Sequence, residues 1–160
     1  MKSKLNILIV EDSKTAAKGI ALYITKHSDY KIEYEIVETY EDKKLALQKQ
    51  SWDAILCDHY MPSFDSQAAF NLYKEFELDI PFIIVSGAIE EDAACEAMKI
   101  GVHDYIMKDK IQRLVPALER ELKRAEERKQ YREMEENKTV MLKNALNNFS
   151  DSFKDNKLVK

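Results

Sequence analysis

Two short apolar runs that each end in carboxylates constrain the fold of this chain more than any other feature. The run from Leu5 to Val10 is followed by Glu11 and Asp12, and the run from Ala54 to Cys57 is followed by Asp58. Such β-branched runs are typical of buried parallel strands. If the two strands are neighbours, three carboxylates converge at one sheet edge, where their repulsion requires a cation. Carboxylate oxygens suit Mg²⁺, so this edge is predicted to bind the metal together with a phosphate.

The first two thirds of the chain alternate strand-like and helix-like patterns. The predicted strands cover residues 5–10, 31–37, 52–57, 81–85 and 103–107, and the predicted helices cover 13–26, 41–50, 66–76 and 90–100. Ser13 is a predicted N-cap and Gly101 a predicted C-terminal stop. Strands that alternate with helices favour right-handed crossovers. We therefore expect an α/β fold with a doubly wound, five-stranded parallel sheet.

Composition excludes several classes of partner. The chain has 160 residues, is 45% hydrophobic and 34% charged, and carries a formal net charge of -4, which argues against nucleic-acid binding. No apolar run approaches the ~20 residues that span a bilayer. The run that ends at Val10 is too short for a secretory signal. Cys57 and Cys95 lack ligand spacing and are expected to be reduced thiols. We expect a cytoplasmic protein without a membrane partner.

The C-terminal part changes character near Ile111. Apolar residues at helical spacing predict a last helix whose start packs on the sheet. The helix-forming composition persists to about Lys138. We predict one domain at 1–127 and a helical extension, linker or dimerisation segment at 128–160, frayed from Ser150 onward. A second apolar stripe is formed by Leu142, Leu146, Phe149 and Phe153. This stripe leaves open a homodimer contact, docking on the domain, or the start of another domain. The helix before it is either a solvated single helix or a signalling helix that pairs with a second copy.

Two further polar residues follow the other strands. Ser86 comes after the fourth predicted strand and Lys108 after the fifth. Doubly wound parallel sheets bind ligands outside the carboxyl ends of their strands. A hydroxyl and an ammonium placed there suit the oxygens of a phosphoryl group on Asp58.

Together, Glu11-Asp12, Asp58, Ser86 and Lys108 resemble the receiver domain of two-component response regulators. The supporting segments are residues 9–13, 57–62, 85–88 and 97–105, and the resemblance covers residues 5–127. It implies the flavodoxin-like strand order 2-1-3-4-5 and makes Asp58 the phosphoacceptor of a histidine kinase or phosphotransfer protein. It also implies a signalling switch that acts through the β4-α4-β5-α5 face and the C-terminal helix, and not a turnover enzyme.

The resemblance implies roles for the surrounding residues. Asp12 and Asp58 would ligate Mg²⁺, or Mn²⁺ as a substitute, Glu11 would act mostly through water, and the backbone carbonyl of Tyr60 would be a further ligand. Ser86 and Lys108 would hold the phosphoryl oxygens. Tyr105 would move inward when Ser86 is drawn toward the phosphate, and Tyr60 and His59 would modulate the site. His59 itself is expected to be exposed in a loop.

Two positions depart from the family pattern. Asp109 follows Lys108 where a proline with a cis peptide bond is usual, and a cis bond before a non-proline residue costs roughly 2.5–4 kcal/mol, so we predict trans. Asp109 is expected to cap the last helix instead. The loop at residues 61–66 lacks the usual glycines and is expected to follow a different path.

Three alternatives compete with a phosphorylated switch. A flavin- or nucleotide-binding domain would need a Gly-, Ser- or Thr-rich loop after the first strand, where Glu11 and Asp12 would repel a phosphate. A phosphorylation-independent pseudo-receiver would act as an interaction module. A phosphatase that hydrolyses its own aspartyl phosphate is the third alternative.

Overall fold

A computed structural model describes residues 3–61, 65–87 and 91–158. The strands are β1 (Lys4–Val10), β2 (Lys31–Val37), β3 (Ala54–Cys57), β4 (Phe82–Ser86) and β5 (Asp104–Met107). The helices are α1 (Lys14–His27), α2 (Tyr40–Lys49), α3 (Ser66–Glu75), α4 (Glu91–Ile100) and α5 (Leu114–Leu158), with a 3-10 helix at Lys108–Arg113. All five strands form one parallel sheet in the order β2-β1-β3-β4-β5. This confirms the predicted fold class and strand order.

The register of β1 and β3 brings their carboxyl ends together. Val10 of β1 pairs with Cys57 of β3, so the next residue of each strand is a carboxylate. The Asp58 N–H donates to the Val10 carbonyl at 2.8 Å. On the other side of β1, the Glu11 N–H donates to the Val37 carbonyl at 3.0 Å. Backbone hydrogen bonds therefore hold both carboxylate-bearing residues at the same edge.

Two hydrophobic cores lie on opposite faces of the sheet, because alternate residues of each strand point to opposite sides. One core joins the strands to α2, α3 and α4 through side chains such as Leu47, Phe70 and Ala97. The other joins them to α1 and the start of α5 through side chains such as Ile24 and Leu118. Burial on both faces explains why the central strands are continuous apolar runs.

The helix ends follow ordinary capping chemistry. Ser13 precedes α1 and its Oγ accepts a hydrogen bond from the Ala16 N–H at 3.2 Å, which confirms the predicted cap. Gly101 follows α4 with a φ of 109°, a conformation that side chains with a Cβ rarely adopt. Asp65 caps α3 in the same way as Ser13 caps α1, through the Ala68 N–H at 2.9 Å.

The connection from β5 to α5 corrects one prediction and supports another. The described peptide bonds are all trans, as predicted for the bond before Asp109. Asp109 does not cap a helix, because it lies within the first turn of the 3-10 helix, which has no side-chain cap. The α-helix starts at Leu114 and not near Ile111. Pro116 falls in its first turn, where the missing N–H has no intrahelical partner to lose.

The last helix is longer than the sequence pattern suggested. The expected fraying from Ser150 stays a prediction, although α5 is helical as far as Leu158 in the structure. No glycine or proline follows Pro116, so nothing in the composition terminates the helix. One compact unit ends at Lys123 and a second begins at Arg124. None of the helices in the described ranges has an apolar stretch that could cross a membrane.

Candidate functional site

Three carboxylates meet at the carboxyl ends of β1 and β3. Glu11, Asp12 and Asp58 each place one oxygen so that the three atoms lie within 4.8 Å of one another. Glu11 and Asp58 are buried, whereas Asp12 is exposed. The sheet therefore brings together the three acids that the sequence singled out, with one side open to solvent.

Lys108 completes this cluster from β5, at the far side of the sheet. Its Nζ lies 2.9 Å from Glu11 Oε2 and 3.6 Å from Asp58 Oδ2. The stem of the side chain passes Gly87, where an added Cβ would lie 3.7 Å from Lys108 Cδ. The side chain keeps 30% of its surface exposed, so the ammonium faces both the carboxylates and the solvent opening.

The electrostatics of the cluster favour a further cation. Burial raises the pKa of Glu11 to about 7, although the Lys108 ammonium and the Ser13 N–H work in the opposite direction. Burial alone would lower the pKa of Lys108, but the hydrogen bond to Glu11 and the charge of Asp58 outweigh it and raise that pKa. Three carboxylates and one ammonium leave two negative charges when all are ionised. A divalent cation bound by oxygen ligands would balance them.

Ser86 and Tyr105 lie on the two strands between the acids and Lys108. Ser86 is the last residue of β4, is 1% exposed, and pairs with Met107, the residue before Lys108. Tyr105 is 7% exposed in β5, and its hydroxyl is buried without a hydrogen-bond partner among the residues that the structure describes. Ser86 thus ends its strand at the same edge of the sheet as the acids, and Tyr105 of β5 lies three residues before Lys108.

Tyr60 and the loop that follows are only partly described. The Tyr60 side chain is 51% exposed and its ring meets the His59 ring edge-on at 4.5 Å. The predicted change of loop path falls on residues 62–64, which lie outside the described residues. Ala88 of the fourth-strand motif and Glu90 at the predicted start of α4 also lie outside them. The Tyr60 carbonyl stays a predicted metal ligand.

The expected exposure of His59 is wrong. The side chain is half-buried, its Nδ1 lies 2.7 Å from Ser66 Oγ, and its ring lies 6.0 Å from the Tyr105 ring. His59 continues the alternation of β3, so it faces the same side as Cys57, toward α3 and α4. That period of two was the signal in the sequence that would have placed it.

Comparison with known proteins gives the family. A model of the response regulator receiver domain matches residues 7–119. The chain belongs to this family. The transcriptional regulatory protein YdfI of Bacillus subtilis (strain 168) is 30% identical over 106 residues, which are 64% of this chain and 47% of YdfI. The chain therefore spans about half the length of that relative.

Two further proteins are similar to this chain. The chemotaxis protein CheY of Treponema pallidum (strain Nichols) is 26% identical over 107 residues, 64% of this chain and 71% of CheY. The receiver domain of the sensor histidine kinase PA1611 from Pseudomonas aeruginosa PAO1 is 21% identical, with a TM-score of 0.62 over 75% of this chain and 98% of that one. That structure contains a magnesium ion coordinated in its active-site cleft. At this identity the likeness shows a shared fold.

Proposed function

We propose that this receiver domain is a cytoplasmic phosphoacceptor switch in which Asp58 takes a phosphoryl group from the phosphohistidine of a histidine kinase or phosphotransfer protein. An Asp58 oxygen forms the new bond to phosphorus, the phosphorus–nitrogen bond breaks, and the imidazole leaves. The observation that carries the proposal is the position of Asp58 itself. It lies within the three-carboxylate cluster and 3.6 Å from the Lys108 ammonium.

The site fits Mg²⁺, with Mn²⁺ as a substitute. Glu11, Asp12, Asp58 and the backbone carbonyl of Tyr60 would hold the ion, Glu11 mostly through water. The fit rests on the oxygen-only donor set and its two uncompensated negative charges. When bound, the metal would offset the negative charge of the phosphoryl oxygens.

Lys108 and Ser86 position the phosphoryl group. Lys108 is already oriented toward Asp58 by its ion pair with Glu11, so little reorganisation is needed for it to reach a phosphoryl oxygen. Ser86, at the end of the adjacent strand, would donate its hydroxyl to another oxygen. Phosphoryl transfer depends mainly on such positioning and charge neutralisation.

The signal would pass from Ser86 and Tyr105 to the β4-α4-β5-α5 face and then to the C-terminal helix. The Tyr105 N–H donates to the Asp104 carboxylate at 2.8 Å, and Arg120 of α5 donates to the same carboxylate at 2.6 Å. A local electrostatic change beside Tyr105 would therefore act on a strand that is tied to α5.

The segment after residue 127 is proposed to serve as an extension that pairs with a second copy of the chain. Its exposed apolar side chains include Leu142, Leu146, Phe149 and Phe153, spaced three or four residues apart. A full-length chain that sediments as a monomer at micromolar concentration, with and without phosphodonor, would contradict this part.

The decisive experiment is to incubate the full chain with Mg²⁺ and a small-molecule phosphodonor and measure its intact mass. We expect the gain of one phosphoryl group, loss of that gain in Asp58→Asn, and loss on chelation of Mg²⁺. One phosphoryl group per chain, with donor consumed no faster than the Asp58 phosphate decays, would fit a switch and not an enzyme. Absence of an Asp58-dependent gain would favour the phosphorylation-independent interaction module.

A further inference from the structure

The His59 side chain is held on two sides by residues outside the carboxylate cluster. Its Nδ1 lies 2.7 Å from Ser66 Oγ, and Ser66 is the first residue of α3 and only 3% exposed. On its other side the ring meets Tyr105 edge-on, with centroids 6.0 Å apart and planes inclined by 61°. His59 directly follows the phosphoacceptor Asp58. It therefore links Asp58, the start of α3 and the ring of Tyr105.

Two hydrogen bonds tie His59, the residue after Asp58, to Ser66 at the start of α3. In addition to the side-chain bond, the Ser66 N–H donates to the His59 carbonyl at 3.4 Å. Because Ser66 is buried, loss of the side-chain bond would leave its hydroxyl unpaired away from water, which is costly. The hydrogen bond consequently fixes His59, which lies between Asp58 and Tyr60, the residue whose carbonyl is proposed to ligate the metal.

The His59 ring borders a cavity and contacts Ser66, Tyr60 and Tyr105. A cavity of about 100 Å³ lies between α3 and α4 and is lined by His59, Ser66, Ile84 and Ala97, among others. The ring is therefore not enclosed by close-packed neighbours on every side. In a close-packed interior a ring is confined by its neighbours, whereas beside this cavity the bond to Ser66 contributes to its orientation.

The contact with Tyr105 carries the effect to the switch. The Tyr105 hydroxyl is buried with no hydrogen-bond partner in the described part of the chain, so the position of this side chain depends on ring packing. The His59 ring is one of the rings that pack against Tyr105. A displacement of Tyr105 alters the surroundings of His59, and a displacement of His59 alters those of Tyr105.

We propose that His59 is a positioning residue that couples the binding site at Asp58 to the position of Tyr105. Through Ser66 it fixes the residue directly after Asp58 against the start of α3, and through its ring it contacts Tyr105. This inference rests on the proposed function, because it assumes that Asp58 binds a phosphoryl group together with Mg²⁺.

Three single variants of the full chain separate the two contacts. His59→Phe keeps a ring but loses the hydrogen bond, Ser66→Ala loses the same bond from the other side, and His59→Gln keeps a bonding group but loses the ring. The probe is Mg²⁺ with beryllofluoride, an analogue of the phosphoryl group. Calorimetry measures its affinity, and fluorine NMR of fluorotyrosine-labelled protein, assigned with Tyr105→Phe, reports the Tyr105 ring. Thermal unfolding shows that each variant is folded.

We expect His59→Phe and Ser66→Ala each to weaken binding about threefold to tenfold, the value of one hydrogen bond. The double variant should be no weaker than either single variant, because both remove the same interaction. His59→Gln should restore the affinity while the Tyr105 signal loses its response to the probe. A residue with only a structural role would not show this separation.

Two results would overturn the inference, and they differ. If the wild type binds the probe and all variants keep its affinity and the Tyr105 response, His59 has no positioning role and the proposed function stands. If losses in the double variant add, the two residues act independently and the coupling is wrong. A wild type that does not bind the probe overturns the proposed function and this inference with it.

Discussion

Lys108 and Lys43 are both withdrawn from water, and their surroundings are opposite. Lys108 lies beside two carboxylates, Glu11 and Asp58, at the open edge of the sheet. Lys43 of α2 is fully buried in the core on the α2–α4 face, where its ammonium donates to the Ala69 carbonyl at 2.5 Å and lies 4.9 Å from the centre of the Phe82 ring.

The two environments shift the lysine pKa values in opposite directions. Burial lowers the pKa of Lys43 to about 8, and the nearby Cys57 only partly offsets this. At Lys108 burial is outweighed by Glu11 and Asp58, which raise the pKa. Lys108 thus retains its charge where a phosphoryl group would need it, whereas the charge on Lys43 reduces stability. Withdrawal from water alone therefore does not mark a functional lysine; the carboxylate partners do.

The comparison is tested most strongly by Lys108→Met. Loss of one preorganised charge that faces the transferring group should slow phosphorylation of Asp58 by about 100- to 1000-fold. The measurement is the rate of mass gain with Mg²⁺ and a small phosphodonor. The matched control is Lys43→Met, because Lys43 has no ion pair with the three carboxylates of the described site. A comparable loss in Lys43→Met would remove the distinction between the two lysines.

A second prediction concerns the pH dependence of stability. The Lys43 pKa is about 8 in the folded chain and near its ordinary 10.5 when unfolded, so between these values the unfolded chain binds more protons. Deprotonation of Lys43 should therefore raise the free energy of unfolding by up to about 3 kcal/mol as the pH rises from 8 to 10.5. Lys43→Met lacks the titration and should be more stable than the wild type at pH 7.

Urea unfolding of both proteins at pH 7, 8, 9 and 10 measures this difference. The excess stability of Lys43→Met should shrink as the pH rises, since the other titrating groups are common to both proteins. An excess that stays constant over this range would mean that Lys43 is not abnormally acidic in the folded chain.

A third prediction concerns the carboxylate cluster and the metal. The pKa of Glu11 is about 7 in the folded chain, raised from 4.5. Protonation of Glu11 therefore adds to the free energy of unfolding; this contribution is complete below pH 4.5 and is lost as the pH rises to 7. Mg²⁺ at ten times its dissociation constant should add about 1.4 kcal/mol to the free energy of unfolding at pH 8. The gain should be smaller at pH 5.5, where Glu11 is protonated.

Urea unfolding with Mg²⁺ and with a chelator, at both pH values, checks this prediction. Glu11→Gln is the control, since it removes the titrating group and should make the Mg²⁺ effect nearly independent of pH. An equal gain in the wild type at both pH values would show that protons and metal do not compete at Glu11.

The smallest expected effect belongs to Tyr60. Its half-exposed ring meets the His59 ring edge-on two residues after Asp58, and we expect it to shield a phosphoryl group on Asp58 from water. Tyr60→Asn should shorten the lifetime of the Asp58 phosphate roughly threefold, because water gains access. The measurement is the decay of the phosphorylated mass after donor removal. Tyr131→Asn, at a similarly exposed tyrosine of the second unit, serves as the control. An unchanged lifetime in Tyr60→Asn would contradict the shielding role.

Most of the sheet and the members of the candidate site were predictable from the sequence. Strand period, helix period and the caps Ser13 and Gly101 are local properties, and they placed the elements to within about two residues at most of their ends. Asp58 and Lys108 were found because each directly follows an apolar run. The end of α5 was missed, because a polar composition without glycine or proline does not by itself terminate a helix.

The sequence by itself determined the parallel α/β fold, because the side-chain period is a local property of the chain. The strand order that brings Glu11, Asp12 and Asp58 together was implied by the resemblance to receiver domains. Only the tertiary structure decided which neighbours the remaining polar side chains meet. It paired His59 with Ser66 and Tyr105, directed Lys43 to the Ala69 carbonyl, and placed Lys108 against Glu11. Those contacts join residues that are distant in the chain or belong to different elements, and burial and packing select them.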